Sequence, residues 1–212
     1  MTLFVKLCGI GTERDLEVAV ESGADAVGFV LTPSPRQVSL EKAAKLMVLV
    51  PKSVLGVAVF HDPSPELLQK TMDVVRPDLL QSEHSTLHGV APNHALPVVV
   101  AGADLEEDLA RARAFTTRDT VLVDSAARGG TGRPAGWERL AGIDFPGHLI
   151  LAGGLHPGNV ADAVGLVRPF GVDVSSGIES SPGVKDPARM RAFVEAAREG
   201  NPPPGRKHDH HQ

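Results

Sequence analysis

The sequence predicts a single-domain α/β protein, a (β/α)8 barrel, from three observations. Eight short apolar, β-branched runs recur along the chain, segments of helical spacing separate most of them, and no linker or shift in composition divides it. Alternation of strand and helix over a whole chain predicts a parallel sheet with helical cover. Eight strands and roughly eight helices within 212 residues match a compact closed barrel. The alternative is an open, doubly wound sheet, which usually has fewer strands and, in its nucleotide-binding form, a glycine fingerprint after the first strand. Cys8-Gly9-Ile10-Gly11-Thr12 is not that fingerprint.

The strand-like runs are Leu3–Leu7, Ala26–Leu31, Val54–Phe60, Asp78–Leu80, Leu96–Val100, Thr120–Val123, His148–Leu151 and Val172–Val174. Glu13 to Ser22 repeats apolar residues at Leu16, Ala19 and Val20 and stops at Gly23. Ser39 caps a helix carrying Ala43, Ala44, Met47 and Val48, which Pro51 ends. Ser64-Pro65 opens another, with Leu67, Leu68, Met72 and Val75 on one face. Asp104 begins a fourth through Leu105, Leu109 and Ala112, and Pro157 leads a helix with Val160, Ala163, Val164 and Val167. Asp186-Pro187 opens the last, with Met190, Phe193, Val194 and Ala197. These are ordinary start and stop signals. Around Gln81 to Asn93 and after Gly136 the pattern is weak, so the helices there are expected to be short.

Composition narrows the function classes. A net charge of −5 argues against a nucleic-acid role, which needs a clustered basic face. One cysteine excludes an internal disulfide framework. No apolar run reaches the roughly 18 to 20 residues that span a bilayer. The start, Met1 to Lys6, reads as a strand and lacks the features of a signal peptide, so a cytoplasmic location is expected. Residues 201–212, with Pro202-Pro203-Pro204 and three histidines, read as a disordered tail after a barrel over residues 1–200.

Candidate chemistry collects where strands end, because active sites of this architecture lie at the carboxyl ends of the strands. Side chains two apart on a strand share a face. Phe4, Lys6 and Cys8 therefore point one way, and a lysine would rarely face the apolar layer between strands and helices. Lys6 and Cys8 are expected inside the barrel. Asp173 and Ser175 alternate with Val172 and Val174 by the same logic, so an inward Lys6 and an inward Asp173 on adjoining strands are expected to pair. Cys8 reads either as a buried small hydrophobe or as a reactive thiol whose pKa Lys6 would lower. Asp124 ends the apolar run Val121-Leu122-Val123 as a cap or as an acid facing the cavity, ahead of a loop with Gly129, Gly130 and Gly132.

Gly153 and Gly154 follow the seventh run, and Ser175, Ser176 and Gly177 follow the eighth. Loops at these two places commonly bind phosphate through backbone amides, although glycine also makes plain turns. Arg36, in Thr32-Pro33-Ser34-Pro35-Arg36, is either a solvated surface arginine or a guanidinium at the mouth suited to a carboxylate.

Taken in order, Val5-Lys6-Leu7-Cys8-Gly9-Ile10, Gly23 to Val30, Ser34-Pro35-Arg36-Gln37-Val38-Ser39, Asp124-Ser125 with Gly129-Gly130-Thr131-Gly132, Leu151 to Leu155 with Asn159-Val160, and Gly171 to Glu179 with Pro182-Gly183-Lys185-Asp186 span nearly the whole chain. This ordered set resembles the phosphoribosylanthranilate isomerase family of tryptophan biosynthesis. The resemblance implies a TIM barrel that performs an Amadori rearrangement without cofactor or metal. It implies Cys8 as general base, Asp124 as general acid, Arg36 against an aromatic carboxylate with Lys6 and Asp173 beside the substrate, and a phosphate held by Gly153, Gly154, Ser175, Ser176 and Gly177. Its partner would be a small-molecule phosphosugar, with no nucleic acid and no membrane, and oligomeric state is left open. Two segments depart from the pattern: Leu80-Gln81-Ser82-Glu83-His84 replaces Val-Gln-Leu-His-Gly, and Val59-Phe60-His61 replaces Phe-Val-Asn. The loop after Asp124 also looks shorter. Glu83 is therefore expected to add negative charge at the mouth. Two other readings use the same residues, an isomerase for another phosphoribosyl amine and a catalytically silent binder of a phosphate ligand.

Overall fold

A computed structural model describes residues 2–101, 104–114, 116, 119–125, 137–141 and 143–200. Eight parallel strands close into a barrel in chain order: β1 (Phe4–Cys8), β2 (Ala26–Val30), β3 (Leu55–Val59), β4 (Leu79–Glu83), β5 (Ala95–Val100), β6 (Thr120–Asp124), β7 (His148–Ala152) and β8 (Gly171–Val174). β1 pairs with both β2 and β8, which shuts the ring and leaves no edge strand in it. The eight runs read from the sequence are these eight strands. A loop carrying Gly129, Gly130 and Gly132, and the expected tail over 201–212, lie outside the described residues.

Side-chain alternation sorts the strands into two layers. Cys8, Ala26, Val30, Val57, Val59, Leu79, Leu96, Leu122, Ile150 and Ala152 form an apolar cluster inside the barrel. Their strand neighbours, among them Val5, Leu7, Val27, Phe29, Val121, Val123, Leu151 and Val172, pack outward under the helices.

Seven α-helices supply that cover among the described residues: α1 (Glu13–Glu21), α2 (Leu40–Val48), α3 (Pro65–Val74), α4 (Leu105–Arg113), α5 (Trp137–Ala141), α6 (Val160–Val167) and α7 (Pro187–Glu199). Ser39 and Ser64 accept hydrogen bonds from the amides of Lys42 and Leu67, and Asp186 accepts from Ala188 and Arg189. Each satisfies donors that a helix start leaves over. In α7 the expected stripe Met190, Phe193, Val194 and Ala197 is buried throughout.

Four expectations need correction. No α-helix follows β4; two 3₁₀ turns, His84–Thr86 and Pro92–His94, take its place. Gly89 and Pro92 interrupt any helical run there, and buried Leu87 covers the strands instead. α6 begins at Val160, not Pro157, because the Asn159 side chain holds the preceding turn by accepting from the His156 amide and donating to the Gly154 carbonyl. In α2, Val48 is 85% exposed and Leu46 turns inward in its place. Met47 fills the hollow above Gly56, where an added Cβ would sit 2.1 Å from its sulfur. Lastly, a two-stranded hairpin, β9 (Glu179–Ser181) and β10 (Val184–Lys185), precedes α7 and was not anticipated.

Candidate active site

Strand register places the first pair of site residues. Lys6 stands opposite Asp173 across β1 and β8, and its Nζ donates to Asp173 Oδ1 at 2.7 Å in the closed interior. Lys6 is fully buried. Burial draws its ammonium down, but Asp173 and Cys8 more than restore it, so its pKa lies above the ordinary lysine value. The inward direction expected from alternation is the one found.

Cys8 ends β1 directly above this pair and is buried. Gly28 on β2 makes the room: a Cβ there would lie 2.9 Å from the sulfur and 3.2 Å from Lys6 Nζ. The expected lowering of the thiol by Lys6 is not what results. Burial pushes the Cys8 thiol up; Lys6 pulls it down, Asp173 pushes it up again, and Lys185 pulls it down, leaving it above its ordinary value. The physical reason is the closed interior at the end of β1: burial, with Asp173 beside it, penalises the thiolate by more than Lys6 and Lys185 favour it.

Arg36 does not stand free at the mouth. Its Nε and Nη2 donate to the two carboxylate oxygens of Glu179 at 2.7 and 2.8 Å. This side-on pairing uses one edge of the guanidinium and leaves the outer Nη1/Nη2 edge for a second planar anion. The hydrogen bonds to Glu179 raise the Arg36 pKa further. Glu179 also accepts from Lys185 Nζ at 2.7 Å and from the Gly183 amide. Burial pushes its carboxyl up, but Arg36 and Lys185 outweigh that and hold it below the ordinary range. Lys185 donates in addition to the Ser175 carbonyl at 3.0 Å, and burial draws its ammonium down against the pull of Glu179. Reading the sequence missed Glu179 and Lys185 as site residues. The signal available was an unlike-charged pair flanking Ser-Ser-Pro-Gly, a hairpin turn composition.

Gly9 lies at the centre of this cluster. Its φ of +80° suits glycine, and an added Cβ would meet Arg36 Cδ at 3.0 Å and both Lys185 Nζ and Ser175 Oγ at 3.1 Å. The loops after β7 and β8 are pressed together: a Cβ on Gly177 would fall 1.9 Å from the Leu155 carbonyl oxygen. Gly153 and Gly154 both adopt positive φ, and the space beside Gly154 is open. Ser176 and Gly177 start a 3₁₀ turn. The two loops named as a phosphate seat are therefore neighbours at one mouth.

Asp124 ends β6 in register with Ala152 of β7. It shares the inward face of Leu122, two residues before it. β7 and β8 separate it from Cys8 around the wall, so a ligand lying across the mouth, rather than a direct bond, would link the two. Ser125 turns away and ties the strand ends together, donating to the Ala152 carbonyl at 2.8 Å and accepting from the Trp137 indole at 3.2 Å. On β4, Gln81 points inward from Leu79's face, and its buried Oε1 has no partner among the described residues.

The two departing segments meet each other. His61 hydrogen-bonds Glu83, which also accepts from the Asp62 amide at 3.2 Å and Ser82 Oγ at 3.0 Å. Burial raises the Glu83 carboxyl, but these bonds, His61 foremost, hold it below the ordinary value. The carboxylate therefore stays ionised, but held across the ends of β3 and β4 by hydrogen bonds rather than standing alone at the mouth. Among the described residues no three His, Cys, Asp or Glu side chains converge as metal ligands would, and no helix is long and apolar enough to cross a membrane.

Comparison with known proteins agrees with this geometry. Residues 5–196 match the family model for N-(5′-phosphoribosyl)anthranilate isomerase. An N-(5′-phosphoribosyl)anthranilate isomerase of Bradyrhizobium diazoefficiens is 39% identical over 93% of this chain and 95% of its own length. That of Bordetella pertussis is 42% identical over 91% and 94%. Among solved structures, the Thermotoga maritima phosphoribosyl anthranilate isomerase superposes with a TM-score of 0.79 at 35% identity, covering 92% of this chain and 98% of that one. Another, solved with reduced 1-(o-carboxyphenylamino)-1-deoxyribulose 5-phosphate, gives 0.78 at 34% over the same shares. The chain belongs to the phosphoribosylanthranilate isomerase family, enzymes of tryptophan biosynthesis.

Proposed function

We propose that the chain converts N-(5-phosphoribosyl)anthranilate to 1-(2-carboxyphenylamino)-1-deoxyribulose 5-phosphate with Asp124 as acid and Cys8 as base. The observation that supports this reading is Cys8 on the inward face at the end of β1, in electrostatic reach of Arg36, together with Asp124 on the face of Leu122 at the end of β6.

The aminoribose is closed as a furanose, and isomerisation must first open the ring. Protonated Asp124 gives its proton to the ring oxygen as the C1–O bond breaks, and the amine nitrogen's lone pair forms the imine. The C2 proton, acidified by that imine, passes to the Cys8 thiolate. The resulting enolamine tautomerises to the aminoketose, and proton exchange with solvent returns Asp124 and Cys8 to their starting forms. One acid and one base held within reach of the reacting atoms are the usual equipment for such transfers.

Arg36 takes the anthranilate carboxylate on its outer edge. Gln81 Oε1 offers an acceptor to the substrate's amine or hydroxyl hydrogen, which suits an otherwise unpartnered buried oxygen. The substrate's phosphate sits between Gly153-Gly154 and Ser175-Ser176-Gly177, and Lys6 with Asp173 forms the floor. Hydrogen bonds from His61 and the Asp62 amide hold Glu83 across the ends of β3 and β4, and the Arg36 guanidinium supplies the attraction for an aromatic carboxylate. The test is direct. Purified protein should consume phosphoribosylanthranilate with loss of its anthranilate-type fluorescence. No turnover, with a different phosphoribosyl amine reacting instead, overturns the substrate assignment.

A further inference from the structure

We propose that Lys185, carried to the site by the hairpin after β8, is a second cation, beside Lys6, that stabilises the Cys8 thiolate, with Glu179 as the residue that positions it. The proposal rests on Cys8 acting as the base.

Among the described residues, five charged side chains gather at this end of β1 and β8. Lys6 on β1 and Asp173 on β8 form a closed pair at 2.7 Å with no net charge. Arg36, from the loop after β2, and Lys185 on β10 share the single carboxylate of Glu179 on β9. Three cations against two carboxylates leave one positive charge, and it belongs to the Arg36–Glu179–Lys185 triad. Buried charge needs a partner. In the absence of substrate the Cys8 thiolate supplies it from within the chain.

Geometry points to Lys185 as the member that serves the sulfur. Its side chain is fully buried, and its Nζ lies 3.1 Å from where a side chain on Gly9, next to Cys8, would begin. The hairpin is built to hold it there. Gly183, at φ +82° in the turn, packs so tightly on Pro35 that an added Cβ would sit 2.2 Å from the Pro35 carbonyl oxygen. Arg189 of α7 donates to the Glu179 carbonyl and pins the other arm. Lys185 pulls the thiol pKa down and feels Cys8 in return.

Cys8 is the chain's single cysteine, so iodoacetamide alkylation reports one thiol without substrate. In Lys185→Met the alkylation rate near neutral pH should fall about tenfold and its inflection should move up. The acid limb of kcat should follow, with KM within about twofold. Lys185→Arg should stay close to wild type. Glu179→Gln, which removes the opposing charge, should move the inflection down. A cooperatively folded Lys185→Met with the wild-type profile overturns the proposal. If that variant does not fold, Glu179→Gln decides, and an unchanged or raised inflection overturns it. An alkylation shift in protein that never turns over phosphoribosylanthranilate supports the proposal while defeating the substrate reading. Turnover with unmoved profiles does the reverse.

Discussion

In the proposed mechanism Cys8 and Asp124 divide the chemistry between a soft base and a carboxylic acid, and single substitutions separate their roles. Cys8→Ser replaces the thiol with a hydroxyl that ionises far less readily and should lower kcat by roughly 10² to 10⁴ with little change in KM. Stopped-assay kinetics at saturating substrate check this, and near wild-type turnover would end the assignment. Asp124→Asn keeps the shape but has no acidic proton to give. Its activity should collapse and its pH–rate profile should lose the basic limb, whereas a full bell in that variant would move the acid elsewhere. Arg36 shows why a residue's identity is more legible than its partner. Its place after the second strand fits a surface arginine as well as a guanidinium at the mouth, and the bidentate bond to Glu179 joins positions 143 apart in sequence, so no local pattern carries that information.

Secondary elements bring these residues together by short, well-signalled devices. Eight strands, the serine and aspartate caps and the buried stripe of α7 follow from period and punctuation alone, because each is decided within a dozen residues. Full burial of Phe193 is worth roughly 1.5–3 kcal/mol, and the buried Met190, Val194 and Ala197 beside it add to the seat of that helix. The hairpin of β9 and β10 is the counterexample, since strands of three and two residues are too short to show a period. The loops after β7 and β8 form the phosphate seat in this reading. Crystals soaked in sulfate should place the anion within hydrogen-bond distance of amides among Gly153, Gly154, Ser176 and Gly177. Gly177→Ala should abolish that density and raise KM, since its methyl would collide with the Leu155 carbonyl. Anion density elsewhere alone would remove the phosphate assignment.

Across the whole molecule, the barrel's interior is held by one buried ion pair as well as by apolar packing. Lys6→Met leaves Asp173 with no counter-ion and should cost about 3–5 kcal/mol, measured by denaturant melts. The double change Lys6→Met with Asp173→Leu should recover much of that loss, and an uncompensated double variant would show that the pair itself stabilises. Glu179 adds a pH dependence. Its folded-state pKa is depressed, so its contribution is present above the unfolded value of about 4.3 and disappears as pH falls through the folded one. The Tm gap between wild type and Glu179→Gln should therefore be widest near neutral pH and close in acid; a gap that is constant from pH 7 to pH 3 would contradict this.

Strand number, strand direction, inward faces and the strand-end positions of Cys8, Asp124 and Arg36 were legible in the residue order. They depend on periodicity and turn chemistry, which act between near neighbours. The pairing of Lys6 with Asp173 was legible too, since barrel closure makes the first and last strands adjoin. Three matters were decided only in the folded chain: the sharing of Glu179 between Arg36 and Lys185, the bridging of His61 and Glu83, and the direction of the Cys8 pKa. Each is an electrostatic balance among groups distant in sequence. Such a balance depends on burial and on which opposite charge comes nearest, and neither exists until the barrel has closed.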